Sequence, residues 1–101
     1  EYNYSIPGVL KNAIDWASRP AYGSALRDKP VFVISVSGGS LGGVRAQAHL
    51  KYILSGVVAN VFPWQEIIIP SASAKIEDGV LTDKAALAST TEGLRAFIAS
   101  L

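Results

Sequence analysis

The sequence has no cysteine and no methionine, holds a single histidine, and carries almost no net charge. Without cysteine there can be no disulfide, no thiolate nucleophile and no Cys-ligated zinc or iron–sulfur cluster. The lone His49 excludes a multi-histidine metal site. Nine Lys+Arg against eight Asp+Glu leave a formal charge of +1, with none of the clustered basic field from which nucleic-acid binding starts. No apolar run approaches the ~18 residues of a membrane-spanning helix, and no stretch is laid out as a signal peptide. These absences set the expectation of a cytoplasmic protein that binds neither nucleic acid nor membrane. The missing methionine and the opening on Glu1-Tyr2-Asn3-Tyr4-Ser5 are what a segment of a longer chain would show.

What is present is apolar: hydrophobic residues make up 50% of the 101, and charged ones 17%. That length fits one small domain. From Ile6 onward Val9, Leu10, Ala13, Ile14 and Ala17 fall on one helical face, with Lys11, Asn12 and Asp15 opposite. Pro7 suits the first turn, with Ser5 or Ile6 as the cap. The helix should end near Ser18, because Pro20 disfavours helical geometry at Arg19. Residues 19–30 read as a loop. Val31-Phe32-Val33-Ile34-Ser35-Val36 is apolar without alternation, as expected of a parallel strand covered on both faces.

A glycine-rich turn follows, and then a second helix. Its core stripe is Ala46, Leu50, Ile53, Leu54, Val57 and Val58, with Arg45, Gln47, His49 and Lys51 outside and Asn60 at the exit. Val61-Phe62 and Ile67-Ile68-Ile69 form a second strand region, which Pro63 marks as an edge or a bulge. Residues 70–82 read as a surface loop, with Glu77-Asp78-Gly79 a solvated turn. Thr82 or Asp83 should cap a last helix carrying Leu87, Leu94, Phe97, Ile98 and Leu101 on one side. The order helix–strand–helix–strand–helix predicts an α/β fold with a parallel sheet. Two strands are few for three amphipathic helices, so further strands are expected N-terminal to Glu1 or in another chain.

Two segments can carry chemistry. Ser37-Gly38-Gly39-Ser40-Leu41-Gly42-Gly43 follows a strand and opens a helix, an arrangement that lets backbone N–H groups approach a ligand. Gly38 and Gly43 have the spacing of a Walker loop, but Val44 and Arg45 stand where Lys and Ser/Thr are required. A tight strand-to-helix turn and a ligand loop at a strand's carboxyl end both remain open. Glu1-Tyr2-Asn3-Tyr4-Ser5 combines flat aromatic faces with an amide that donates and accepts. That suits a planar heteroaromatic ligand, although spacing alone favours ordinary helix-entry chemistry. His49 has no Ser-His-Asp arrangement around it in sequence and reads as a surface residue. Arg45, in the first turn of its helix, is unfavourable for the dipole, which suggests a compensating contact such as an ion pair across a subunit contact. Trp16 and Trp64 read as packing or interface residues. A chain without an evident nucleophile, base or metal either catalyses nothing or relies on a cofactor.

Glu1-Tyr2-Asn3-Tyr4-Ser5-Ile6-Pro7-Gly8-Val9-Leu10-Lys11-Asn12-Ala13-Ile14-Asp15-Trp16 closely resembles the signature segment of the NADPH-dependent FMN reductase family, in which a proline precedes the Glu-Tyr-Asn. Lys29-Pro30, the strand after it, Ser37 to Gly43, Arg45-Ala46-Gln47 and Leu50 form a second, less specific match. The resemblance runs from Glu1 to about Ile69 and more loosely to Leu101. It implies a flavodoxin-like three-layer α/β/α fold with strand order 2-1-3-4-5. Residues 1–101 would be a single partial FMN-binding domain, the part after the third strand, with the N-terminal strands and phosphate loop absent. It implies that Glu1, Tyr2 and Asn3 border the isoalloxazine and that Ser37, Gly38 and Gly39 face its pyrimidine edge. No catalytic side chain and no metal ligand are implied.

By the same resemblance the activity is that of an FMN-dependent NAD(P)H oxidoreductase. It would pass hydride from NADPH or NADH through the flavin to a quinone-like or other small acceptor, in a homodimer or homotetramer whose contact involves Trp16 and Tyr4. The alternative is a non-catalytic flavodoxin-like module that carries electrons or binds a partner. A phospho-receiver domain of similar topology fits less well, because Ser37 stands where the strand should end on an acidic residue.

Overall fold

The computed structural model describes residues 1–101. In chain order its elements are α1 (Gly8–Ala17), β1 (Pro30–Val31), β2 (Ile34–Val36), α2 (Val44–Gly56), β3 (Asn60–Val61), β4 (Ile67–Ile69), a 3-10 turn (Ala72–Ala74), β5 (Ile76–Glu77), β6 (Val80–Leu81) and α3 (Lys84–Ala99). No helix is long and apolar enough to cross a membrane. The chain forms two compact units, Glu1–Val33 with Arg45–Phe62, and Ile34–Val44 with Pro63–Leu101.

In the first unit β1 and β3 pair in parallel, Pro30 opposite Asn60 and Val31 opposite Val61. The ring of Phe32 meets that of Phe62 edge-on at 5.5 Å. Ile6, Ile14 and Ala46 form the buried cluster, with Leu26, Leu50, Ile53 and Val57 packed on it. Burial of this kind contributes about 25 cal/mol per Å² of apolar surface removed from water, so the few fully buried side chains dominate the unit's stability. The expected cap is corrected: Pro7, at φ −59° and ψ 144°, is itself the N-cap, and no side chain bonds to the helix start. The fixed φ of proline is already extended there, so neither Ser5 nor Ile6 is needed. Of the predicted face of α1 only Ile14 is buried, and Val9 remains 81% exposed. On α2 the most buried side chain is Gln47, at 1% exposure, rather than an outward residue. Positions 47, 50 and 54 recur at helical spacing on one face, and hydrophobicity counting passes over a glutamine there. The exit from α2 is also earlier than expected: the helix stops at Gly56, and Asn60 lies in β3.

In the second unit β2 and β4 pair in parallel, with Ile34 opposite Ile67 and Val36 opposite Ile69. Ile67 and Ile69 are 2% and 4% exposed. The expected single strand 31–36 is thus two short strands pairing separately. Between the two pairings the chain runs two residues (Phe32-Val33) on one side and five (62–66) on the other. Pro63 cannot donate to a ladder and lies between β3 and β4, outside both pairings. The expected loop 70–82 contains an antiparallel hairpin, β5 with β6, turning through Asp78 and Gly79 at φ 48° and 78°. The apolar stripe of α3 is only partly covered: Leu87, Leu94, Ile98 and Leu101 are exposed and Phe97 is half-buried. A pair of three-residue strands cannot cover the face of a 16-residue helix.

Asp83 caps α3, its Oδ2 accepting from the Ala86 N–H at 3.0 Å. Replacing a capping aspartate by alanine leaves a helix donor unpaired and typically costs about 1 kcal/mol. Asp83→Ala should lower the urea midpoint correspondingly, with the slope of the transition unchanged.

Candidate functional site

The two segments singled out from the sequence lie in different units, and each is built by its own contacts. In the first, Tyr2 N–H donates to Ser5 O at 3.0 Å and Ser5 N–H donates to Tyr2 O at 3.1 Å. Asn3 and Tyr4 between them have φ of 49° and 69°. Two central residues at positive φ inside a reciprocal hydrogen-bonded pair are the pattern of a type I′ turn. Asparagine tolerates that conformation, but a tyrosine there is a true outlier, which surrounding contacts must hold.

Those contacts come from the first turns of α2. Glu1 Oε2 accepts from the backbone N–H groups of Arg45 and Ala46, each at 3.1 Å. The first amides of a helix have no partner within it, and the dipole favours a negative charge beside them. α2 has no acidic residue in its own first turn, so Glu1 supplies that charge from 44 residues away. The Glu1 carboxylate is therefore engaged with the protein. Arg45 Nη1 lies 4.0 Å from Glu1 Oε1, and its guanidinium sits 4.1 Å from the centre of the Tyr4 ring. This ion pair and this stacking of Arg45 lie within the chain. Ser5 Oγ and His49 Nδ1 share a hydrogen bond at 2.8 Å. Tyr2 and Asn3, with the Tyr4 ring beneath Arg45, stand exposed on the turn so held. Neither Arg45 nor His49 was among the expected site residues.

The second segment begins at the carboxyl end of β2. Ser37 N–H donates to Ile69 O, Ala72 N–H donates to Ser37 O, and Ser71 N–H donates to Gly39 O, all at 3.0 Å. Gly39 N–H donates to Ser37 Oγ at 3.1 Å. The exposed N–H groups of Gly38 and Ser40 have no acceptor in the protein.

The four glycines of this loop divide into two pairs. Gly42 has φ +62°, and a Cβ on it would meet Ile68 Cγ2 and come within 3.0 Å of Pro70 N. Gly43 has φ +85°, and a Cβ there would lie 3.0 Å from Ser35 Cβ. The fold itself demands these two. A Cβ on Gly38 would meet nothing within 4 Å, and one on Gly39 would meet only Ser37 Oγ, at an ordinary 3.6 Å. Nothing in the packing or in the φ angles accounts for glycine at 38 and 39. Chemically, the Ser37-Gly38-Gly39 backbone is held by its own hydrogen bonds except at Gly38, whose exposed N–H is a free donor, at the strand end where parallel α/β sheets bind ligands.

Residues 1–74 match the family model described as NADPH-dependent FMN reductase. The chain is 40% identical over 101 residues to the NADH:(hydroxy)cinnamate reductase subunit CrdA of Vibrio ruber, covering 97% of this chain and 49% of that protein. It is 41% identical over 99 residues to a quinone reductase of Escherichia coli K12, covering 96% and 52% respectively. Among solved structures it is similar to FerB, a flavoenzyme NAD(P)H:(acceptor) oxidoreductase from Paracoccus denitrificans. The TM-score is 0.81 and the identity 38%, with 97% of this chain and 54% of that one covered. The chain thus spans about half the length of the curated relatives it matches. The parallel strand pairs, the three helices and these likenesses agree on a flavodoxin-like α/β fold, and by its sequence the chain belongs to the NADPH-dependent FMN reductase family.

Proposed function

We propose that this chain is part of an FMN-dependent NAD(P)H oxidoreductase that reduces a quinone-like or other small acceptor, residues 1–101 forming a single partial flavin-binding domain. The observation that carries this reading is the Ser37-Gly38-Gly39 backbone, with its free Gly38 donor and no packing reason for either glycine. The pyrimidine edge of a flavin is a row of carbonyl acceptors and an N–H on a flat ring. An open glycine backbone fits that edge, because a side chain there would hold the ring away. On these grounds the residues present fit the cofactor.

FMN, when bound, supplies the two-electron relay between the nicotinamide of NADPH or NADH and the acceptor. The chain's own part is positioning. Gly38 orients the ring edge through its free backbone N–H, and Ser37 and Gly39 border that edge on either side. Tyr2 offers an apolar face that excludes water, the Asn3 amide offers both a donor and an acceptor, and the Glu1 backbone borders the ring. Holding donor and acceptor in line converts an encounter into a near-unimolecular step. The same reading places the protein in the cytoplasm as a homodimer or homotetramer, with the exposed Trp16 of α1 and Tyr4 at the contact.

The test is NAD(P)H oxidation by the flavin-loaded intact protein with an added quinone. Turnover well above that of free FMN supports the proposal. Retained flavin without turnover would instead favour an electron-carrying module. Within the first loop, Asn3→Gly keeps a residue suited to φ 49° and removes only the amide. It should weaken FMN retention after dialysis by about 0.5–1.5 kcal/mol, the net worth of one hydrogen bond. Alanine is the poorer probe, because it would also strain the turn.

A further inference from the structure

His49 is 44 residues from Ser5, yet its Nδ1 lies 2.8 Å from the Ser5 hydroxyl oxygen. Ser5 is the closing residue of the turn, since its backbone exchanges both hydrogen bonds with Tyr2. Fixing the Ser5 side chain therefore fixes one end of the turn, as Glu1 on the amides of Arg45 and Ala46 fixes the other. Arg45 and His49 are one helical turn apart and share a face of α2. That face meets the Tyr4 ring through Arg45 and the Ser5 hydroxyl through His49. Asn3 and Tyr4, held between these anchors, keep positive φ, which a tyrosine abandons unless its surroundings prevent it.

We propose that His49 is a positioning residue of the flavin site. Through Ser5 it holds the Tyr2–Ser5 turn in the left-handed conformation that presents Tyr2 and Asn3. The role rests on the flavin reading above and concerns orientation only, since His49 touches no reacting atom. A bare Nδ1 would accept the Ser5 hydroxyl proton and a protonated Nδ1 would donate to Ser5 Oγ, so either ring tautomer makes this bond. Asparagine carries an amide at a similar reach from the backbone and preserves that bond. Alanine removes it while being the best helix former, so α2 itself is not weakened.

The experiment compares wild type, His49→Ala, His49→Asn, Ser5→Ala and the Ser5→Ala/His49→Ala double variant in the intact protein. Two quantities are measured: amide hydrogen exchange at Tyr2 and Ser5, and the Kd for FMN by titration of the apoprotein. In His49→Ala both amides should exchange faster, with those of α2 unchanged, and the Kd should rise roughly fivefold, as expected for one lost hydrogen bond. His49→Asn should restore both. The double variant should show no more than the larger single effect, because both residues act through one bond. Unchanged exchange at Tyr2 and Ser5 in His49→Ala would overturn the proposal. So would faster exchange with a wild-type Kd, or a double variant whose effects add. A wild-type protein that takes up no FMN overturns the flavin reading instead, and the exchange data then decide separately whether His49 sets the turn.

Discussion

Gly42→Ala should be more damaging than alanine at Gly38, Gly39 or Gly43, the other glycines of its loop, with an expected loss of about 3 kcal/mol of stability. Two costs combine. An L-residue held at φ +62° gives up roughly 1–2 kcal/mol against its preferred regions. The new Cβ then has no room: it would meet Ile68 Cγ2, and it would lie 3.0 Å from Pro70 N and 3.2 Å from Ile69 C. Two of those three neighbours are backbone atoms at the end of β4, which cannot rotate away as a side chain would. Overpacking of this kind typically costs about 1–3 kcal/mol. Backing away is also opposed, because Gly42 O accepts the Ser35 hydroxyl proton at 2.6 Å. Urea unfolding of the intact protein should show the fall as a lower midpoint at constant slope. A loss under 1 kcal/mol would mean that the loop has slack which these distances do not suggest.

The helices and strands were legible where punctuation was local. Pro20 ends α1 and Asp83 starts α3, each through chemistry confined to a few residues. The strand segments at 31–36 and 60–69 were legible from their unbroken apolar character, and Pro63 announced the interruption in the second. The β5–β6 hairpin was missed although Asp78-Gly79 is the preferred two-residue turn. Strands of two residues are too short for alternation to register. Coverage of the helices was legible only as a shortage. The exposed Val9, Leu87, Leu94 and Ile98 match the expectation that two strand regions are too few for three amphipathic helices.

The site divides in the same way. That Tyr2 and Asn3 stand on a turn before α1, and Ser37 to Gly39 at a strand end, follows from local pattern. What holds the first turn does not, because Glu1 to Arg45 and Ser5 to His49 are each 44 apart in sequence. Spacing carries no signal at that range. The one available hint was Arg45 itself, a cation at the end of a helix where the dipole opposes it. The hint was sound in kind, since an anion does pair with it, and that anion is Glu1 of the same chain.

Gly39→Ala is expected to give the opposite result to Gly42→Ala: a fold that hardly changes and an FMN affinity about tenfold or more weaker. The structural side is nearly free of cost. Gly39 does not have a positive φ, and its added Cβ would meet only Ser37 Oγ, at 3.6 Å. Alanine even restricts the unfolded chain more than glycine does, a small gain for the folded state. On the ligand side the methyl group would stand on the exposed backbone edge that the flavin ring is proposed to approach. A misfit of one methyl against a rigid ring has the same physics as core overpacking, about 1–3 kcal/mol, and 1.4 kcal/mol already corresponds to about tenfold in Kd. The two effects separate in one sample, by a melting curve and a flavin titration of the folded apo-variant. A wild-type melting temperature with weakened FMN binding assigns Gly39 to the ligand. Wild-type affinity in the folded variant would remove Gly39 from the flavin contacts, and with it the observation on which the flavin reading most depends.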